Sequence, residues 1–387
     1  MDRMSVIDAG FWFAESESTP MHVGSVSIFD GPAPSYGDLV RLLLGKLDRV
    51  PRYRQRVRPV PLNVGRPVWV DDEHFQILYH VRHSAVPRPG GPEQLRNLAG
   101  RVLGQRLDPA KPLWEIWLVE GLEAGRWALI SKVHHCMVDG VAGTDLLALV
   151  FDPDPAAVHP AAAPWAPEPA PSGAAALAGS VVGSMTDVVL RPAQQLAALP
   201  GALVGAVREP GAALARAAAV GTLLPSLARR LTAPVARSLS GPIGPHRRWV
   251  WCDVALGDVL RVRAGLGGTV NDVVLAAVTA GFRALLDGRG ELTGRLAVRT
   301  MVPVSTRRPD ERGALDNRIA AVLVDLPVGE PDPVARLHAV RRQMDEHKAL
   351  LDAVDARSLV DAGTAVAPTL MALGTRAATG ALTRGRP

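Results

Sequence analysis

The sequence predicts an α/β protein of two domains, and three observations predict it. Residues 1–153 and 241–387 each mix apolar periods of about 2 residues, the mark of a strand, with periods of about 3.6, the mark of a helix. Between them the composition changes: 154–173 is a Pro/Ala-rich linker of solvated, extended character, and 174–240 is a basic, apolar, Pro-punctuated helical segment. A chain of 387 residues, 48% hydrophobic and 21% charged, is long enough to bury two real cores.

In the first domain, Ser5 to Glu17 reads as a helix, with Ser5 placed to cap it ahead of Val6, Ile7, Phe11 and Trp12. Met21 to Phe29 alternates as a strand and stops at the turn pair Asp30-Gly31. Tyr36 to Leu47 sets Leu39, Leu42, Leu43, Leu44 and Leu47 on an amphipathic helix. Val68 to Val70 and Ile77 to Val81 read as strands, and Glu93 to Leu107 as a helix with Leu95, Leu98, Val102 and Leu103 on one side. Trp114 to Val119 alternates as a strand that pairs with the 127–133 run through a turn near Glu123 to Gly125. That hairpin delivers Lys132-Val133-His134-His135-Cys136-Met137-Val138-Asp139-Gly140, and Val141 to Val150 leads out as a helix.

The segment 174–240 carries Arg191, Arg208, Arg216, Arg229, Arg230 and Arg237 against Asp187 and Glu209. Such a segment suits an anionic membrane or lipid-droplet surface; helical packing across the back of the protein is the plain alternative. In the second domain, Trp249 to Val254 is expected as a strand and Gly257 to Ala264 as a short helix. Gly267-Gly268-Thr269-Val270-Asn271-Asp272 opens a helix to Leu286, with Asn271-Asp272 at its N-cap. Leu296 to Val304 and Ile319 to Leu326 are strands, and two helices, over 333–354 and 360–383, close the chain.

Composition excludes several classes. A pI near 9.7 invites a nucleic-acid partner, but aromatics are only 4% and no basic block is interleaved with them, so no nucleic acid is expected. Cys136 and Cys252 stand apart without a disulfide framework and read as reduced thiols of an intracellular protein. Met-Asp-Arg-Met-Ser has no apolar signal region, and no apolar run reaches the length of a membrane span.

The chemistry concentrates in His134-His135-x-x-x-Asp139-Gly140. Adjacent side chains on a strand point to opposite faces, so only one histidine of the pair is expected to meet a substrate, while Asp139-Gly140 makes the bend. Diverging histidines without a further ligand at metal spacing make a poor metal site. No Gly-x-Ser-x-Gly elbow accompanies them, which argues against a serine hydrolase. What remains is a lone histidine base acting on a hydroxyl, beside the plain reading of a buried histidine pair closing a strand.

His134 to Gly140 also resembles the HHxxxDG motif of the coenzyme A-dependent acyltransferase superfamily. More narrowly, the chain resembles the bacterial wax ester synthase/acyl-CoA:diacylglycerol acyltransferase family. The resemblance rests on Ser5 to Trp12 with Pro20 to Gly24, on Asp108-Pro109 before Pro112-Leu113-Trp114, and on Ser240 to Gly244 with Arg247-Arg248. Asn271-Asp272 and Met301 to Ser305 with Arg307 complete the ordered set. It implies two chloramphenicol-acetyltransferase-like domains with a tunnel at their interface. Its functional corollary is an O-acyltransferase forming triacylglycerol from diacylglycerol, with wax esters from long-chain alcohols as a second product. Acyl-CoA is then a co-substrate, no cofactor stays bound, and the enzyme sits in the cytoplasm against a membrane or lipid droplet.

By the same likeness His135 is the general base, and His134, facing the other side, shapes the site. Asp139 holds the loop by pairing with an arginine, Arg54 or Arg56, or simply caps the turn with Gly140. Pro112, Leu113 and Trp114 position the hairpin. Asn271 and Asp272 support activity from the helix start, and Arg247 and Arg248 are either coenzyme A phosphate contacts or solvated surface charge. Two departures stand out: Asp316-Asn317 replaces the usual Gly-Asn, and the chain stops before the Asn-Val-Pro-Gly-Pro segment and the strands that complete the second sheet. Truncation with an exposed sheet edge is therefore expected. It leaves open a catalytically impaired protein that binds acyl chains or membrane surface, and a condensation-type enzyme serving a carrier protein is the third reading.

Overall fold

The computed structural model describes residues 2–61, 65–137, 151–152, 154, 157, 164–170, 236–239, 243–294, 296–305 and 319–353. Expected features at Val138 to Val150, including Asp139 and Gly140, lie outside them, as do 171–235, Arg307, Asp316-Asn317 and the helix over 360–383.

The first half opens with β1 (Asp2–Arg3) and α1 (Val6–Ala14). Ser5 caps α1 by accepting the Asp8 amide at 3.1 Å, as its place before an apolar turn predicts. Then come β2 (His22–Phe29), α2 (Tyr36–Lys46), β3 (Gln55–Arg58) and β4 (Val68–Asp71). The expected strand over Ile77 to Val81 is instead a single helical turn, α3 (Ile77–His80), followed by β5 (Val81–Ala85). Its apolar residues Ile77 and Val81 are spaced for a turn of helix rather than for alternation, and both are buried. The half continues with α4 (Pro92–Gly104), β6 (Trp114–Glu120) and β7 (Trp127–His134).

A mixed four-stranded sheet runs in the order β2-β7-β6-β5, with β5 parallel to β6 and the other pairs antiparallel. One face buries Leu39, Leu43, Leu113, Trp114, Ile116 and Leu118 beneath α1 and α2; the other buries Ala128 and Ile130 under Leu95, Leu98 and Val102 of α4. Each aliphatic side chain so buried is worth about 1.5–3 kcal/mol of transfer free energy. β1, β4 and β3 form a separate three-stranded sheet.

The second half contains α5 (Leu256–Leu266), α6 (Val270–Gly288), β8 (Val298–Ser305), β9 (Ile319–Leu326) and α7 (Pro333–Ala353). β8 and β9 pair antiparallel, and Val322, Val324 and Leu326 pack with Leu275 of α6 and Val340 and Met344 of α7. The expected strand over Trp249 to Val254 is irregular chain. Its alternating tryptophans serve a different contact: Trp249 and Trp251 pack against the α4 side of the first sheet, and the Arg96 guanidinium lies 4.4 Å from the Trp251 ring. The linker is not wholly solvated either. Trp165 meets Phe75 edge-on at 6.1 Å, and the Glu168 amide donates to Asp71 Oδ2 at 3.0 Å.

Candidate active site

The site is built at the end of β7. Fully buried Trp114 anchors the hairpin: its indole N–H donates to the Tyr53 carbonyl at 2.8 Å, and its own carbonyl accepts from His80 Nδ1 at 2.9 Å. The Leu113 carbonyl accepts the His134 amide at 2.9 Å, so Pro112-Leu113-Trp114 ties the start of β6 to the end of β7. His134 is the last residue of β7, opposite His22 on β2. The chain then tightens into a 3-10 turn, His135–Met137, that takes His135 out of the ladder.

The two histidines end in different environments. His134 is completely buried, and the Cys136 amide donates to its Nδ1 at 3.1 Å. Nδ1 is therefore the acceptor, and the proton of the neutral ring sits on Nε2. Burial lowers the His134 pKa to about 4, the nearby Glu15 carboxylate offsetting part of that effect. His135 is half-buried, its amide donating to the Met21 carbonyl at 2.7 Å and its ring stacked on Phe11 at 4.3 Å. Burial also lowers its pKa below the ordinary histidine value, with a hydrogen bond to its own backbone opposing. Cys136 is buried and its thiol is pushed well up by desolvation, so it is no nucleophile.

Glu15, outside every motif, and His22, inside the Pro20 to Gly24 segment, complete the cluster. Glu15, at the C-cap of α1, is nearly buried; its Oε1 accepts the Met21 amide at 3.4 Å and its Oε2 accepts from Arg106 at 2.8 Å. His22 Nε2 donates to the Leu103 carbonyl at 2.9 Å. An acidic residue directly after the apolar helix Val6–Ala14 was the available sequence signal for Glu15.

The other expected site residues lie elsewhere. The cap of α6 is Thr269, not Asn271-Asp272: Asp272 is the reciprocal partner, its Oδ2 accepting the Thr269 amide at 2.7 Å while its amide donates to Thr269 Oγ1 at 3.2 Å. Asn271 is exposed and Asp272 buried, and no hydrogen bond among the described residues links either to the histidines. Arg54 pairs with Asp48 at 2.5 Å. Arg247 is spent on backbone, donating to the Gly244, His246 and Ser18 carbonyls at 2.7, 3.1 and 2.9 Å. It borders a cavity of about 400 Å³ that also meets Arg248, His22 and Trp249. Among the described residues no group of three metal-ligating side chains occurs.

A neutral, half-buried imidazole on a pinned turn at the end of a hairpin can take a proton from a hydroxyl. The fold that carries it is the acyltransferase and condensation-domain class. The structure aligns with a wax ester synthase/diacylglycerol acyltransferase from Marinobacter aquaeolei VT8 at a TM-score of 0.60 and 22% identity, covering 98% of this chain and 78% of that one. It aligns with the first condensation domain of the calcium-dependent antibiotic synthetase at a TM-score of 0.51 and 15% identity, covering 90% and 75%. Both likenesses concern the fold.

Sequence narrows the class. Residues 4–274 match the wax ester synthase/diacylglycerol acyltransferase catalytic domain, and 315–383 match the C-terminal domain of the same family. A probable diacylglycerol O-acyltransferase of Mycobacterium tuberculosis, tgs1, is 35% identical over 357 residues, 90% of this chain and 72% of that protein. A second from that organism, tgs3, is 38% identical over 267 residues, 68% of this chain and 95% of that protein. The chain belongs to the wax ester synthase/diacylglycerol acyltransferase family, and is an acyltransferase.

Proposed function

We propose that this chain is a diacylglycerol O-acyltransferase that forms triacylglycerol from acyl-CoA, with long-chain alcohols as second acceptors giving wax esters. The observation that carries the reading is His135: half-buried, its backbone held by Met21 and its ring by Phe11, with no hydrogen bond from the ring to another residue among the described residues. His135 takes the acceptor hydroxyl's proton as that oxygen attacks the thioester carbonyl carbon. The tetrahedral intermediate then collapses, the carbon–sulfur bond breaks, and the proton passes to the departing coenzyme A thiolate. A thioester is already activated, so no acyl-enzyme forms.

Diacylglycerol is insoluble in water, so the enzyme works at a lipid surface. Among the described residues no single helix is long and apolar enough to cross a membrane; α5 and α6 pass such a test only together, across a 103° bend. Exposed Leu256, Leu260, Leu266, Val270 and Val274 on those helices, with Arg261 and Arg263, support surface contact.

His135→Ala is expected to reduce turnover by about 10²- to 10⁴-fold, the usual contribution of a general base. The assay follows thiol release and lipid product from palmitoyl-CoA with dipalmitoylglycerol or hexadecanol. Near-normal turnover in a folded variant sinks the assignment, and no product from the folded parent with either acceptor favours a binding-only protein.

A further inference from the structure

Glu15 meets both arms that hold the catalytic turn. Its Oε1 accepts the Met21 amide at 3.4 Å, and the Met21 carbonyl in turn accepts the His135 amide at 2.7 Å. The same Oε1 lies 3.7 Å from His134 Nε2, a completely buried nitrogen with no hydrogen-bond partner among the described residues. The Cys136 amide at Nδ1 forces the proton onto that nitrogen, so a buried N–H is aimed at a carboxylate just beyond bonding distance. Arg106 holds the other oxygen at 2.8 Å and keeps the carboxylate in place. A buried donor left unpaired is costly, and catalytic hydrogen bonds that are long in the free enzyme commonly shorten with substrate bound.

We propose that Glu15 is a positioning residue for acyl transfer: it orients the His134 ring by receiving its Nε2–H and, through Met21, the backbone from which His135 reaches the substrate. This rests on His135 as base. Glu15 touches neither substrate nor the reacting proton; it acts on the turn His135–Met137 from behind, through His134 Nδ1 and the Cys136 amide on one side and Met21 on the other. The neighbouring charged and titratable groups are Arg106, His22 and His135 itself, all of which disfavour a charged His134, so the ring works as a neutral relay.

The test is a coupling measurement on the full-length enzyme. Glu15→Gln keeps the shape and the Met21 acceptor but removes the charge; it is expected to lower kcat about 10-fold with the KM for palmitoyl-CoA unchanged. Combined with His134→Ala, it is expected to add no further loss. Imidazole ¹⁵N–¹H spectra at pH 7 are expected to show His134 as Nε2–H in both proteins, held so by the Cys136 amide, with the Nε2–H proton moving upfield in Glu15→Gln as its charged acceptor is lost. Parent-level kcat in Glu15→Gln, losses that multiply in the double variant, or an unshifted Nε2–H proton each overturn the proposal. If Glu15→Gln does not fold, Arg106→Gln, which frees the carboxylate from outside, reads the same coupling and the same spectrum. His135→Ala run alongside separates the two readings: activity surviving there defeats the base assignment, whereas its loss with an indifferent Glu15 defeats only this inference.

Discussion

At the scale of the residue, burial decides the chemistry of the histidines. His80 and His134 are both completely buried, and desolvation brings each to about pKa 4. An unfolded chain binds protons on histidine near pH 6.5, so between about 6.5 and 4 the unfolded state holds more protons than the folded one. Stability is therefore flat above neutrality and falls as pH drops through that window, by up to about 1.4 kcal/mol per pH unit for each histidine. Thermal unfolding followed from pH 8 to pH 4 checks this, and His80→Gln is expected to make the fall shallower. For His135 the lowered pKa has a kinetic consequence: kcat/KM is expected to hold below pH 6.5 and to decline only as the base protonates at lower pH. A pH–rate profile with its acid limb at or above the ordinary histidine value contradicts the environment described for His135. The pair His134-His135 was legible in the sequence, including that its members face different surroundings. Glu15 was not: an acidic residue just after an apolar helix marks a helix end, but it does not announce that residue 134 will lie 3.7 Å away.

At the scale of the element, periodicity served where one face of a segment meets one core. α4 shows it: Leu95, Leu98 and Val102 repeat on a single side and all are buried against the sheet. Leu95→Ala is expected to cost about 2–5 kcal/mol in denaturant unfolding, the range for emptying a packed core position. An effect below 1 kcal/mol means that α4 does not close this core. Where two kinds of contact produce one pattern, periodicity does not distinguish them. Ile77 to Val81 is apolar because it crosses the core, which a helical turn does as well as a strand, and the His80 bond to the Trp114 carbonyl selects the turn. Trp249 to Val254 alternates because Trp249 and Trp251 touch the first half, yet among the described residues no strand pairs with the segment. Thr269 rather than Asn271 caps α6 because the cap depends on which residue leaves helical geometry, and Gly267 and Gly268, at φ 77° and 90°, bend the chain just before it.

For the whole molecule, the joint between halves is made from backbone as much as from side chains. Arg247 reaches across to the Ser18 carbonyl, and Gly100 of α4 lies so close to the Arg247 carbonyl that an added Cβ would stand 2.7 Å from it. Gly100→Val is expected to lift the 243–251 segment from α4, raising amide hydrogen exchange there while β6 and β7 stay protected. Uniform exchange across both would mean that the joint supports the first sheet itself.

Taken alone, the sequence determined the α/β class, most elements of both halves, the hairpin carrying His134 and His135, and a resemblance that the family matches bear out. All of these are written in short-range pattern: a period, a turn pair, a motif of seven residues. Only the tertiary structure decided which histidine is sealed and which is half open, that the proton of His134 sits on Nε2, that Glu15 and Met21 stand behind the catalytic turn, and that Arg247 braces the joint through carbonyls. Those properties depend on desolvation and on contacts between residues far apart in the chain. They exist only once the sheet has brought β2, β7 and α1 together.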